Sequence, residues 1–296
     1  MNVTVLSEAI SNSLSFSSIL ILSALGLAIT FGVMRVINRA HGDMMMLGAY
    51  TTFVVTDSSY LGLNIYVAIP AAFVVVGFIG YLMEVCLIRF MYGRPLDTLL
   101  ATWGVGMIVQ QCVNLGFGAD LQSLNLPPIL NGGLELGGLT IPYYRVFILG
   151  VTCLCLVGVY LWFYRTSFGL KIRAVVQNRP MASALGISTR RVDSLTFAFA
   201  TGLAGVAGSI LAYLYTTKYT MGNDYLVEAF MVVVLGGMGQ LGGSVLGGML
   251  YGTSFSGVEK GLGSAPMAKA IILLSVVTFL LIRPSGIFVA KERSYE

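Results

Sequence analysis

Charge is what this sequence has least of. Asp, Glu, Lys and Arg make up 10% of its 296 residues and hydrophobic types 56%, against roughly 25% charged in an ordinary soluble domain. A chain this poor in charge cannot use water as the solvent for most of its surface. Histidine is nearly absent: His41 stands alone, without Cys, Ser or a second His at catalytic spacing. No reaction class follows, and an enzyme is not expected. Cys86, Cys112, Cys153 and Cys155 fall inside apolar runs without metal-ligand spacing, so they read as small packing residues, not as disulfide partners or zinc ligands. No metal or cofactor is expected in this chain. A G-x-x-x-x-G-K-[ST] run is missing, and with it the usual nucleotide cradle. The net charge of +4 does not point to nucleic acid, because the basic residues gather in loops, where membrane orientation requires them.

What is present is a series of apolar runs. Crossing the roughly 30 Å hydrocarbon core takes about 20 apolar residues in a helix. Runs bounded by charge or turn residues fall at 15–34, 44–56, 65–88, 98–116, 145–163, 194–215, 226–237, 241–255 and 268–282. The expected fold is an all-α polytopic membrane protein of about eight or nine segments, a single transmembrane domain over 1–296. The count falls if 44–56 or 226–237 turns back. No Lys or Arg precedes Arg35, so the first run lacks the positive flank of a cleaved signal and is expected to remain as a span. The stretch 165–191 holds Arg165, Lys171, Arg173, Arg179, Arg190 and Arg191 with no acid, which places it on the cytoplasmic side. The segment between Gly116 and Arg145 is then expected outside, with the N-terminus.

Backbone at membrane depth must be paired or line a wet cavity, and two stretches break the apolar pattern. The first is polar, Val36-Ile-Asn-Arg-Ala-His-Gly-Asp43; the second is glycine-rich, Gly236-Gly-Met-Gly-Gln-Leu-Gly-Gly243. Paired breaks, one in each half, point to a transport pathway and raise an internal repeat as a hypothesis. Asn38, His41 and Asp43 either meet a solute or a proton, or cap broken helix ends. Thr98 with Thr102, and Gln110 with Asn114, are spaced to share helix faces and offer hydrogen bonds to an uncharged polar solute; interhelical bonding explains them equally. Gln240 sits in the second break. Glu84 is expected to snorkel toward water beside Arg89, and the Met44-Met-Met46 run to be packing.

The loop at about 165–193 carries Gln177-Asn-Arg-Pro-Met-Ala-Ser-Ala-Leu-Gly-Ile187, which reads as a short helix. Asn178 suits its cap, Pro180 its first turn and Gly186 its left-handed stop, while Met181 and Leu185 meet at i and i+4. That apolar pair needs either the bilayer interface or a groove on a partner, and Ala182, Ser183 and Ala184 favour close contact in a groove.

Residues 38–50, NRAHGDMMMLGAY, resemble the signature of the branched-chain amino acid type of ABC permease, as do 173–187 and 229–239. The resemblance extends over nearly the whole chain. It implies a bacterial-type inner-membrane importer with a second permease chain, two ATPase subunits that hold ATP and Mg, and an external solute-binding protein. It also implies that residues 177–187 are the coupling helix that receives the ATPase stroke. Residues 93–104 and 283–288 are similar to the urea-importer permeases, so urea or a small amide is the expected solute, with branched-chain amino acids as the alternative. A channel or ion-coupled carrier working alone is the rival of another class. Arg39 stands where an uncharged residue is expected.

Overall fold

The computed structural model describes residues 3–34, 36–58, 60–136, 139–284 and 286–288. The apolar runs fold as helices: α1 (Val3–Met34), α2 (His41–Thr56), α3 (Ile65–Cys86), α4 (Pro95–Phe117), α5 (Tyr143–Arg165), α8 (Thr189–Leu214), α9 (Met221–Gly236), α10 (Leu241–Leu262) and α11 (Ala265–Ile282). Two short helices, α6 (Ser167–Gln177) and α7 (Arg179–Ala184), lie in the basic loop. The only described sheet is a hairpin, β1 (Gly133–Leu136) against β2 (Leu139–Pro142), antiparallel with Gly133 opposite Pro142.

Among the described residues, five helical stretches are long and apolar enough to cross a membrane: Ser11–Met34, Ile65–Cys86, Tyr143–Arg165, Thr189–Leu214 and Ala265–Ile282. The pair α9 and α10 adds a sixth if counted as one span bent by 119°. The protein is thus an all-α polytopic membrane protein, but several of the apolar runs are not separate full crossings among the described residues. α2 has 16 residues, about 24 Å at 1.5 Å per residue, too short for the hydrocarbon core. α4 is long enough, but its polar residues keep it outside the apolar set.

α8 is the axis. Its apolar window is 83% buried and that of α1 89%, against 17% for α5 and for α11, so the latter two lie at the periphery with faces such as Leu154, Val157, Leu274 and Leu281 exposed. Lipid offers helices no hydrophobic gain on association, so they pair through close backbone approach at small residues. α8 supplies these. A Cβ on Gly205 would lie 2.7 Å from the Ala72 carbonyl of α3, and one on Gly208 would collide with the Met45 carbonyl of α2. Hydrogen bonds follow the same contacts: the Thr52 hydroxyl donates to Ser209 Oγ at 2.7 Å, and Tyr144 of α5 to the Ile210 carbonyl at 2.6 Å. Met44, Met45 and Met46 are core residues, at most 1% exposed. The cysteines differ from expectation: Cys86, Cys112 and Cys153 are exposed and only Cys155 is half-buried, because they fall on outward faces of α3, α4 and α5, where lipid tolerates a small apolar thiol as well as a core does.

Both breaks are shorter than the sequence suggested. The first covers 36–40, with α2 resuming at His41; the second covers 237–240 between α9 and α10. Gly237 (φ 104°) and Gly239 (φ 82°) take the left-handed backbone that the second bend needs. After α11 the chain returns to this bend. The Ile287 amide donates to the Leu235 carbonyl at 2.9 Å and the Phe288 amide to the Gly236 carbonyl at 3.3 Å.

Replacing Gly208 with Val is expected to overpack the α2–α8 contact and cost about 1–3 kcal/mol. Thermal unfolding of the detergent-solubilised protein checks this, against Gly104→Ala, where a Cβ meets open space, as the neutral control.

Candidate functional site

The first break is built from the backbone outward. Residues 36–40 leave α1 without helical hydrogen bonding, in a place where Asn38 and Ala40 are at most 1% exposed. Unpaired amides there cost several kcal/mol each, and side chains take them up. Asn38 Oδ1 accepts the Ala40 amide at 3.1 Å, and Thr102 Oγ1 of α4 accepts the Arg39 amide at 3.1 Å. His41 is fully buried, its Nε2 3.0 Å from the Ser23 carbonyl of α1. Asp43 lies in the first turn of α2, where a carboxylate suits the positive end of the helix dipole, and it accepts Gln110 Nε2 at 2.6 Å. Arg39 reaches across the break: its Nη1 donates to Asn223 Oδ1 of α9 at 3.2 Å. The starts of α2 and α9 meet at Gly42 and Gly222, each so close to the other's carbonyl that a Cβ on either would collide.

Five of the expected pathway residues, Asn38, His41, Asp43, Thr102 and Gln110, are therefore gathered at one place, engaged in holding the break. The other three are not. Thr98 turns back on its own helix start, donating to the Arg94 and Met91 carbonyls at 2.9 and 3.2 Å. Asn114 is half-buried one turn beyond Gln110 on α4. Gln240 belongs to the second break, where its carbonyl accepts from the Ser244 amide and hydroxyl at 3.0 and 3.2 Å, next to the contact between Gly239 and Gly32 of α1. Asn223 and Gly106, which abuts Asp43, had no sequence signal beyond being small or polar in an apolar context.

The basic loop folds as two capped helices. Thr166 accepts the Gly169 amide at 3.0 Å to start α6, which buries Ile172 and Val175. Asn178 accepts the Met181 amide at 3.0 Å to start α7. Gln177 is the last residue of α6, so the short helix is briefer than 177–187. It ends at Ala184 because Gly186 is left-handed (φ 82°) and the Ile187 amide closes back on the Ala182 carbonyl at 3.0 Å. Ala182 anchors it, whereas Met181 and Leu185 are 58% and 76% exposed.

Beneath α7 lies a polar cluster that patterning did not reveal. Arg179 pairs with Asp193 of α8, whose side chain is fully buried, and its guanidinium sits 5.0 Å from the centre of the Tyr92 ring. Tyr92 donates to Glu84 Oε1 of α3 at 2.9 Å; Ser194 bonds Glu84 Oε2 and accepts Arg89 Nη2 at 3.1 Å. Glu84 does not snorkel. It is completely buried, because three donors reach it inside the protein. Burial first, then the charges of Asp193 and Glu84, push the Tyr92 phenol up, so it remains a proton donor.

Comparison with known proteins bears on the whole of this arrangement. Residues 9–281 match the family described as branched-chain amino acid transport system / permease component. The chain is 30% identical, over 95% of each partner, to the high-affinity branched-chain amino acid transport system permease protein BraD of Pseudomonas aeruginosa. It is 28% identical to the corresponding LivH of Escherichia coli K12, over 95% of this chain and 94% of that one. The probable branched-chain amino acid transport permease LivH of Methanocaldococcus jannaschii is 28% identical, with 92% and 89% covered.

Thr102→Val leaves the half-buried Arg39 amide without its acceptor and is expected to cost about 1–3 kcal/mol. Thr102→Ser, which keeps the oxygen, is expected to restore most of it. Thermal unfolding of both variants in one detergent checks the pair, and equal losses would remove the hydroxyl from the account of the break.

Proposed function

The chain belongs to the branched-chain amino acid transport system permease family, and on that premise we propose that it is the transmembrane permease subunit of an ATP-driven importer carrying amino acids with apolar side chains. The matches extend over almost the whole chain, and the names of the relatives specify branched-chain amino acids. The expectation of urea, drawn from residues 93–104 and 283–288, finds no support in those names. As permease components, the relatives are transport subunits and not enzymes. ATP and Mg would then be held by two partner ATPase subunits, with a second permease chain and an external solute-binding protein completing the assembly.

The observation that carries the energy-coupling part is α7. A helix of six residues, capped at both ends, presents Met181 and Leu185 outward. Two apolar side chains on a rigid, basic, non-spanning element fit a groove on a partner, and we assign residues 177–187 as the ATPase contact. Our reading puts the pathway beside the contact of α2 with α4. There Gln110 and Asn114 are half-buried on one face of α4, Asn38 and Thr102 hold the non-helical backbone of the break, and His41 and Asp43 open α2 beside it. Gln240 and the second break would flank the route, because the ends of α1 and α9 meet there.

Labelled leucine is expected to enter proteoliposomes holding the full complex, with ATP, at a higher rate than labelled urea. Urea transport without leucine transport would restore the other solute, and uptake by this chain alone would make it a channel or carrier. Leu185→Asp is expected to weaken ATPase association at least about tenfold, the 1.4 kcal/mol scale of one lost anchor, with membrane insertion intact. Wild-type association in a pull-down would refute the assignment of α7.

A further inference from the structure

We propose that the Arg179–Asp193 ion pair, with Tyr92, Glu84, Ser194 and Arg89 behind it, is the rigid link that carries movement of α7 into α3 and α8. The inference rests on the reading of α7 as the ATPase contact and adds the residues through which that contact reaches the membrane domain.

α7 is poorly attached by packing. Ala182 is its one buried residue, seated against Ile172, Val175 and Val192. An apolar contact that small lets a six-residue helix slide. The polar attachment is directional. Arg179 is held at two points, by the Asp193 carboxylate and by the face of Tyr92, and a planar guanidinium held in this way has little freedom to rotate. Asp193 is followed directly by Ser194, which bonds Glu84, and Tyr92 bonds the other oxygen of the same carboxylate. The chain of contacts from α7 therefore forks at the start of α8, by way of Asp193, and at the end of α3, by way of Tyr92, and closes again on Glu84. Arg89 braces the closure, with its Nη2 3.1 Å from Ser194 Oγ and 3.5 Å from Glu84 Oε2.

Stability alone does not account for such a cluster. Two fully buried carboxylates carry a desolvation cost that their partners offset only in good geometry, and apolar residues of similar size often serve stability as well. Fixed geometry is what the cluster provides. The packing supplies the route onward. α8 meets α3 at Gly205 and α2 at Gly208 with backbones in contact, so displacement of the α8 start is delivered to α2 and to the break at 36–40 without slack.

The test uses the complete complex in proteoliposomes and reads four quantities: folded yield, ATPase association, ATP hydrolysis and solute moved per ATP. Asp193→Asn is expected to lower solute per ATP about fivefold or more, the scale of a typical coupling energy, while yield, association and hydrolysis stay near wild type. Asp193→Glu is expected to recover part of the loss, because it restores the charge. Normal solute per ATP in Asp193→Asn overturns the link, as does a proportionate fall of all four quantities, which marks a merely structural pair. If Asp193→Asn does not fold, Tyr92→Phe decides: it removes only the hydroxyl bonded to Glu84, and unchanged coupling at normal yield overturns the proposal. The two readings fail separately. ATPase association surviving Leu185→Asp sinks the docking role of α7, whereas loss of association there with normal coupling in Asp193→Asn sinks the link alone.

Discussion

The backbone contact of α8 with α2 and α3 is the constraint on which the rest of the structure depends. In a bilayer there is no water to drive apolar helices together, so their association is set by how closely the main chains approach. Gly48 and Gly205, and Gly208 and Met45, meet at distances that leave no space for a side chain. That proximity lets a 16-residue helix stay at membrane depth without spanning it. It also makes α8 a common neighbour of α1, α2 and α3, through which local displacements at either end are shared.

The second requirement follows from the first. A helix that begins inside the membrane needs a non-helical approach, and the amides of that approach need acceptors. Asn38 and Thr102 accept amides of the first break for this reason, the Ser23 carbonyl takes the His41 ring, and Arg39 ties the break to α9 through Asn223. The sole histidine, for all its suggestive chemistry, sits completely enclosed against α1. The polar residues here are thus architectural in their visible contacts, and their link to solute passage is by position.

Much of this was legible in the sequence because its causes are local. The long apolar runs, both breaks, the cap at Asn178 and the stop at Gly186 each depend on a few neighbouring residues. What was not legible depends on distant partners. Where the short α2 lodges is decided by its fit against α8, and Glu84 looked like a snorkelling surface acid because Tyr92 and Ser194, its donors, are close to it only after folding. Asp193 closes an ion pair with Arg179 that no helical spacing signals. α6 went unnoticed within a stretch read for its charge alone. The solute was the weakest inference for a physical reason as well: the side chains at the break bond the protein's own backbone and one another, and those contacts carry little of a ligand's chemistry.

The return of the chain to the second bend has a mechanical consequence. Helix α9 ends at Gly236 with carbonyls that its own continuation, turned through 119°, cannot reach. The amides of Ile287 and Phe288 occupy two of them, and Gly286 lacks a side chain where one would strike the Val234 carbonyl. The bend is in effect a hinge whose pin comes from the far side of α11. It cannot open by rotation of α10 alone; either the pin is withdrawn, or α11 swings with the joint as one lever.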